Sequence, residues 1–345
     1  MSTFQGHVCF YVPPHINDHI ARVADKAAGR SSAAQRSALA SRVLRERRRE
    51  THHAALATLT PPAPGKADRQ IYDDLHQWNV NVDLIRGEGD SPVAGQNANL
   101  AYDYLGATRE FYKEVLGRNS LDNAGLTIVG NVNFGVDYNN AFFDGAEMVF
   151  GNGDNVIFKD FTNDVDVTGH ELTHGVTQYT AGLEYHDQPG ALNEATSDIM
   201  GVCVEQYAGG LDAGTFNWLI GEDVMADDLF GEAIRSMAHP GTAYDNPQMG
   251  KDPQADSMAG YVDGGDPHVN SGIINRVFYL IATDLGSMPA AKLWYATLQN
   301  LWPAAQFSDA ALVCGQMARI LARDKTIARQ GPQTVRAAFR EVGIV

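Results

Sequence analysis

Residues 169–182 read GHELTHGVTQYTAG, and no other stretch limits the chain's options as sharply. On an α-helix, residues four apart share a face, so His170 and His174 can point at one ion. Glu171 then lies about 100° round the helix, beside the ion rather than bound to it, where its carboxylate can act as a general base on water. Further on, NEATSD (193–198) sets Glu194 and Asp198 one helical turn apart. Glu194 can complete a His₂Glu set with one position left open, as catalytic zinc requires. Asp198 can hydrogen-bond the far nitrogen of a ligating histidine and fix its tautomer. A plainer reading makes both acids first-turn residues favoured by the helix dipole, which explains their charge but not the two upstream histidines. Other zinc architectures fit less well. Thr180 stands where a third histidine six residues after His174 would be needed, and GTAYDNP (241–247) misses the spacing of an aspartate-ligand site by one.

The chain around this helix has 345 residues, enough for about two domains. Short strand-like runs (LTIVGNV, AEMVFG, NVIFKDF) separated by Gly, Asn and Asp fill residues 70–165, with an amphipathic helix near 94–117. They suggest twisted antiparallel sheet. Helical periodicity takes over from 165, with helices expected at 166–180, 191–208, 269–285, 289–301, 308–322 and 332–341. The resulting fold class is α+β, with three parts: a prosegment and linker (1–65), a β-rich domain that includes the HELTH helix (66–185) and a mainly helical domain (186–345). No run reaches the ~18 apolar residues that span a bilayer, so no membrane partner is expected. The three cysteines (Cys9, Cys203, Cys314) are too few and scattered for a disulfide framework. With no basic, apolar leader at the N-terminus, we expect synthesis in a reducing cytosol; export by a route without a cleaved signal stays open.

Charge divides the chain. Residues 1–66 carry +6 and the remainder −22, for a net −16. An acidic body excludes nucleic acid as the expected partner and is a natural electrostatic mate for its own basic N-terminal segment. That segment holds two helical stretches, 15–29 (Ile16, Ile20, Val23, Ala27) and about 33–58, followed by the Pro-rich joint TPPAPGKADRQ. It has little apolar surface of its own and reads as an appendage that docks.

With these residues in hand, the chain resembles the thermolysin family of zinc metalloendopeptidases over about residues 70–345. YNNAFFDGAEMVFGNGD, DVTGHELTHGVTQYTAGLEY, GALNEATSDIMG, IGEDV, IRSM, HVNSGIIN and VRAAFREVG follow the family's order and approximate spacing. The short prosegment with PPH near its start is similar to that of the protealysin-like subgroup. The resemblance implies a two-domain fold with a β-rich half, a central zinc helix and a helical half. It implies one catalytic zinc held by His170, His174 and Glu194, with Glu171 as base. Tyr185 and His268 would stabilise the oxyanion, Asp263 would orient His268, and Asn193 and Asp198 would hold the ligating histidines. Asn140 and Ala141 would pair with substrate backbone, and Arg235 would donate a bidentate hydrogen bond to a substrate carbonyl. Phe158, Val167, Ile220, Val224 and Ile234 fall where the family lines an apolar pocket, implying cleavage on the amino side of bulky hydrophobic residues; for each taken individually, core packing is the safer reading. Asp166, Glu205 and Glu222 match acids of the family's paired calcium site, but Asn217 and Leu219 replace expected acids, so one calcium or none is expected.

The implied partners are polypeptide substrates, the prosegment as intramolecular inhibitor, and, as a further candidate, a protein inhibitor. Self-cleavage near 55–70 would release activity, and Cys9, His15 or His19 could cap the open position of the zinc, although a buried structural thiol is the commoner role for a cysteine. Two alternatives remain at this stage. A zinc aminopeptidase would share the ligand set but needs an acidic anchor for the substrate amine, of which no motif is seen. A metal-stabilised binding protein on an inactive scaffold would tolerate loss of Glu171.

Overall fold

The computed structural model describes residues 9–28, 33–51 and 66–345. Residues 52–65, with the first half of the joint TPPAPGKADRQ and most of the expected self-cleavage region, lie outside the described residues, while Arg69 and Gln70 at the end of that joint are already strand.

A six-stranded sheet forms the first half, in the order β1 (Cys9–Phe10), β5 (Ala141–Phe143), β6 (Met148–Phe150), β4 (Ile128–Val132), β2 (Arg69–Asp73), β3 (Asp83–Gly87). The sheet is mixed, not antiparallel: β2 and β4 run parallel, as do β4 and β6. NVIFKDF, expected as a strand, is a turn-rich loop with one isolated bridge between Phe158 and Met225. Asp154 explains the difference, because its Oδ1 accepts from the backbone N–H of Val156 and Ile157 and holds the chain in an Asx-type turn.

The N-terminal segment is part of this fold rather than a loose arm. β1 adds an antiparallel edge to β5, with Cys9 opposite Phe143 and Phe10 opposite Phe142. Helices α1 (Pro14–Ala28) and α2 (Ala33–Thr51) follow. Ile16 and Ile20 of α1 are buried in the main core with Tyr11 and Val12, while Val23 is 39% exposed.

Across the sheet lies α3 (Gln96–Glu114), whose buried Ala98, Ala101, Tyr102, Leu105, Thr108, Phe111 and Tyr112 recur at helical spacing. Next come α4 (Val165–Gln178) and α5 (Asp187–Gly209). Both are buried along almost their whole length despite many polar side chains, so each of those groups needs a partner inside the protein. A short hairpin of β7 (Leu219–Ile220) and β8 (Arg235–Ser236) follows. Helices α6 (Pro267–Leu285), α7 (Ser287–Leu298), α8 (Phe307–Arg323) and α9 (Gly331–Glu341) complete the helical half. Among the described residues no helix is long and apolar enough to cross a membrane.

The packing that matters most for the site is α4 against α5. A Cβ at Gly169 would lie 2.9 Å from the Cα of Gly201, and a Cβ at Gly201 would lie 2.9 Å from the carbonyl oxygen of Asp166. The helices therefore touch backbone to backbone at this crossing. Gly201→Ala should force them apart and cost ~1–3 kcal/mol. Gly315→Ala on α8, where a Cβ meets nothing within 4 Å, should be neutral or stabilising by up to ~1 kcal/mol. Denaturant unfolding of the two variants measures the contrast.

Candidate metal centre and cleft

α4 is entered through Asp164, whose side chain caps it by accepting from the N–H of Asp166. About two and three turns in, His170 and His174 leave the helix on the face toward α5, and their Nε2 atoms stand 3.2 Å apart. Both rings are held from behind. His170 Nδ1 meets Asp198 Oδ1 at 2.8 Å and His174 Nδ1 meets Asn193 Oδ1 at 2.9 Å, while Asn193 Nδ2 donates to Leu183 O, which fixes the orientation of its amide. An oxygen acceptor behind each ring makes Nδ1 the protonated nitrogen. Burial opposes charge on His170, but Asp198 and Glu194 raise it to about 9, so its Nε2 holds toward His174 the proton that a metal ion would displace.

Glu194 closes the triangle, 3.5 Å from His170 Nε2 and 3.6 Å from His174 Nε2. Metal–ligand bonds of 2.0–2.1 Å in a tetrahedron put donor atoms about 3.3 Å apart, so the residues fit zinc. Glu194 Oε2 and Glu171 Oε1 are buried with no hydrogen-bond partner. Burial, opposed by Glu194, takes His174 down to about 4 and keeps it in the neutral form a metal binds. Glu171 is anchored by the N–H of Phe143 on β5, which donates to Oε2 at 2.8 Å. Burial pushes its carboxyl up to about 8, and a dication alongside would bring it down.

Around this centre the other expected residues take their places, with three corrections. Asp263 is exposed on a turn; Asp266 holds His268 instead, accepting from both its backbone N–H and its Nδ1, the latter at 2.6 Å. As N-cap of α6 followed by proline, Asp266 is fixed by the helix start. His268 Nε2 donates to the carbonyl of Phe10 at 3.0 Å. With an oxygen at each nitrogen the ring is a cation; burial opposes the charge, and Glu194 and Asp266 outweigh it, raising His268.

The second correction concerns Arg235. Its bidentate pairing is with Asp198 (Nε to Oδ2 at 2.9 Å, Nη2 to Oδ1 at 2.8 Å), leaving Nη1 to donate to the carbonyl of Tyr11 at 3.0 Å. Asp198 also accepts from Asn275 Nδ2. Burial opposes its ionisation, but Arg235 and His170 hold it at about 2. One carboxylate thus positions a histidine of the metal centre and the arginine of the cleft. The third correction concerns the acids expected at calcium. Asp166 and Glu205 converge with Asp164, not Glu222, whose carboxylate accepts from Asn217 Nδ2. Burial and the neighbouring acids push Glu205 up to about 9.

Tyr185 donates its hydroxyl to Glu194 Oε1, and its ring sits edge-on to His268 at 6.4 Å. Asn140 and Ala141 line the cleft edge, but what they pair with is the chain's own N-terminal segment. Tyr11 N–H donates to Ala141 O at 3.1 Å; Val12 N–H donates to Asn140 Oδ1 at 2.8 Å, and Asn140 Nδ2 returns a bond to Val12 O at 3.1 Å. The Tyr11 side chain is fully buried, its hydroxyl donating to Asp166 Oδ1 at 2.5 Å and its ring edge-on to His170. Phe158, Val167, Ile220, Val224 and Ile234 are all buried in the same core cluster as Tyr11, and the tyrosine hydroxyl lies against Gly221. His15 and His19 are not at the metal centre: they meet Tyr244 Oη and Pro247 O. Cys9 is, grouped within ligand reach of His174 and Glu194.

Two family models match the chain in succession: the thermolysin metallopeptidase catalytic domain over residues 74–178 and its alpha-helical domain over residues 181–344. The chain belongs to the thermolysin family of metallopeptidases. It is a metalloendopeptidase of this zinc-dependent family, a hydrolase of peptide bonds. It is 42% identical over 298 residues to an extracellular metalloprotease of Pectobacterium carotovorum subsp. carotovorum, covering 84% of each chain. It is 39% identical over 255 residues to a thermolysin of Alicyclobacillus acidocaldarius subsp. acidocaldarius, a match that takes in 71% of this chain and 44% of that one. The precursor of protealysin, a metalloproteinase from Serratia proteamaculans, superposes with a TM-score of 0.84 at 38% identity, over 98% of this chain and all of that one.

Asn193→Ala removes the acceptor behind His174 without touching a ligand atom. Metal affinity should fall ~10–100-fold, measured by competition with a chromophoric chelator.

Proposed function

We propose that the chain is a zinc endopeptidase kept latent by its own first segment, which lies in the cleft as a peptide substrate would. The observation that carries this reading is the backbone of Phe10–Val12. It pairs with Asn140 and Ala141 along the β5 edge, offers the Phe10 carbonyl to His268 and offers the Tyr11 carbonyl to Arg235. Strand addition to a sheet edge, with one side chain in a pocket, is how extended peptides are bound.

Zinc held by His170, His174 and Glu194 would polarise the scissile carbonyl and make a water acidic enough to attack at neutral pH. Glu171 takes the proton of that water and hands it to the leaving nitrogen. His268, charged and aimed at the carbonyl, donates to the developing oxyanion, with Tyr185 beside it as second donor. Asp266 keeps His268 charged and oriented. Asn193 and Asp198 hold the ligand rings, and Asp198 also keeps Arg235 turned toward the carbonyl that follows the scissile bond. The apolar pocket filled by Tyr11 supports cleavage on the amino side of bulky hydrophobic residues. Asp164, Asp166 and Glu205 take one calcium ion at most, since Asn217 and Leu219 contribute no charge. Polypeptides are the substrates, and a protein inhibitor would bind the same edge. Synthesis in a reducing cytosol is supported by the buried and unbridged Cys203 and Cys314.

Glu171→Gln keeps the metal ligands and removes the base. Hydrolysis of an internally quenched peptide blocked at its N-terminus should fall ~100-fold or more, with zinc content unchanged by elemental analysis. Activity that ignores Glu171→Gln would rule out this reading.

The pocket makes a second prediction. Asp166 at its floor accepts a hydroxyl, so matched peptides with Tyr after the scissile bond should exceed those with Phe about tenfold in kcat/KM. Asp166→Asn should shrink that ratio.

A further inference from the structure

A segment bound like a substrate raises a difficulty: the Phe10–Tyr11 bond lies where a scissile bond would lie. Its carbonyl meets His268, the next carbonyl meets Arg235, and the N–H of Tyr11 is held by Ala141. Glu171, the base, is anchored on the same strand, at Phe143. Something in the docked segment has to keep water from this bond.

We propose that Cys9 does so by placing its Sγ in the metal's open coordination position, as a fourth ligand beside His170, His174 and Glu194. The proposal rests on the metal centre described above and adds the regulation of that site. Cys9 Sγ, a nitrogen of His174 and a carboxylate oxygen of Glu194 all lie within 4.8 Å of one another, and all three residues are buried. A Zn–S bond of about 2.3 Å beside Zn–N and Zn–O bonds of about 2.0 Å sets sulfur about 3.6 Å from each neighbour in a tetrahedron, so the three groups close in by up to about an ångström when the ion binds. Glu194 Oε2 is buried in the same group without a hydrogen bond, and the imidazole of His268, 3.3 Å away, is turned to the Phe10 carbonyl, which leaves that oxygen free to face the ion. The register of β1 on β5 puts Cys9 there: paired opposite Phe143, it is delivered to the metal by the same strand that carries Tyr11 into the pocket.

On binding, the thiol gives up its proton to solvent and the sulfur takes the place of the attacking water; no bond in the chain is broken and no redox agent is needed. When β1 leaves the sheet edge, the sulfur leaves with it and water enters. The other two cysteines cannot substitute. Cys203 lies nine residues beyond Glu194 on α5, about 13 Å along the helix, and Cys314 sits on α8. The plainer role for Cys9, a small apolar filler under the sheet edge, leaves the metal's ligand atoms unchanged, and that is what a test can separate.

The experiment uses the full chain carrying Glu171→Gln, which prevents self-cleavage, loaded with cobalt(II) in place of zinc. A near-ultraviolet thiolate-to-cobalt charge-transfer band is expected in this protein, and its loss is expected when Cys9→Ser is added with cobalt still bound at one per chain. Stoichiometric cobalt without the band overturns the proposal while leaving the metal centre intact. Failure to bind cobalt at all, with His174→Ala making no difference, overturns the metal centre too. In chains that keep Glu171, Cys9→Ala should raise the rate of cleavage between Phe10 and Tyr11 at least tenfold, followed by intact-mass spectrometry. Cleavage there no faster than in the unaltered chain refutes the protective role.

Discussion

The site depends on how closely α4 and α5 approach. Two glycines, Gly169 and Gly201, bring the helix backbones into contact, and only at that separation do His170 and His174 on one helix reach Glu194, Asp198 and Asn193 on the other. Helices this deeply buried would ordinarily present apolar faces to each other. Here they present carboxylates and imidazoles, and every such group is held by another. Asp198 bonds His170, Arg235 and Asn275 at once. Trp294 ties α7 to α5 through Thr196. Removing one partner from such a network leaves a buried charge uncompensated, which is far costlier than losing a surface contact.

The same frame explains why the first segment can lie in the cleft. The sheet ends at β5 with an open edge, and an open edge accepts a strand. The two residues of β1 would be a marginal strand alone. They are held because Tyr11 drops into a pocket against His170, Gly221 and Asp166, and because Ile16 and Ile20 of α1 pack into the same core. The acidic body and basic segment agree with this docking in sign. The contacts that fix it are backbone pairing and buried aromatic area rather than charge.

Much of this was legible in the sequence, for reasons that differ from residue to residue. His170, Glu171 and His174 are local, and helical spacing alone puts them on one face. Glu194, Asn193 and Asp198 share a second helix, so their mutual placement was equally plain. Loops were harder. Asp263 was expected behind His268 from the family resemblance, whereas Asp266, the N-cap of α6, holds that ring. The Asp-Pro pair at 266–267 is a helix-start signal that could have pointed to it. Asp164 escaped notice in the same way, as N-cap of α4. The bidentate partner of Arg235 is 37 residues away in sequence, and no local pattern encodes such a distance. The strand β1 is too short for periodicity to register. Its role becomes visible only when β5 is seen to lack a neighbour without it.

The central claim is that residues 9–12 occupy the substrate's place. It is tested most directly by adding a synthetic peptide of residues 9–20 to enzyme from which the first segment has been removed. The account predicts inhibition competitive with a quenched peptide substrate, lost when Tyr11 of the peptide is replaced by glycine. Inhibition that is noncompetitive, or indifferent to the Tyr11→Gly change, would contradict it.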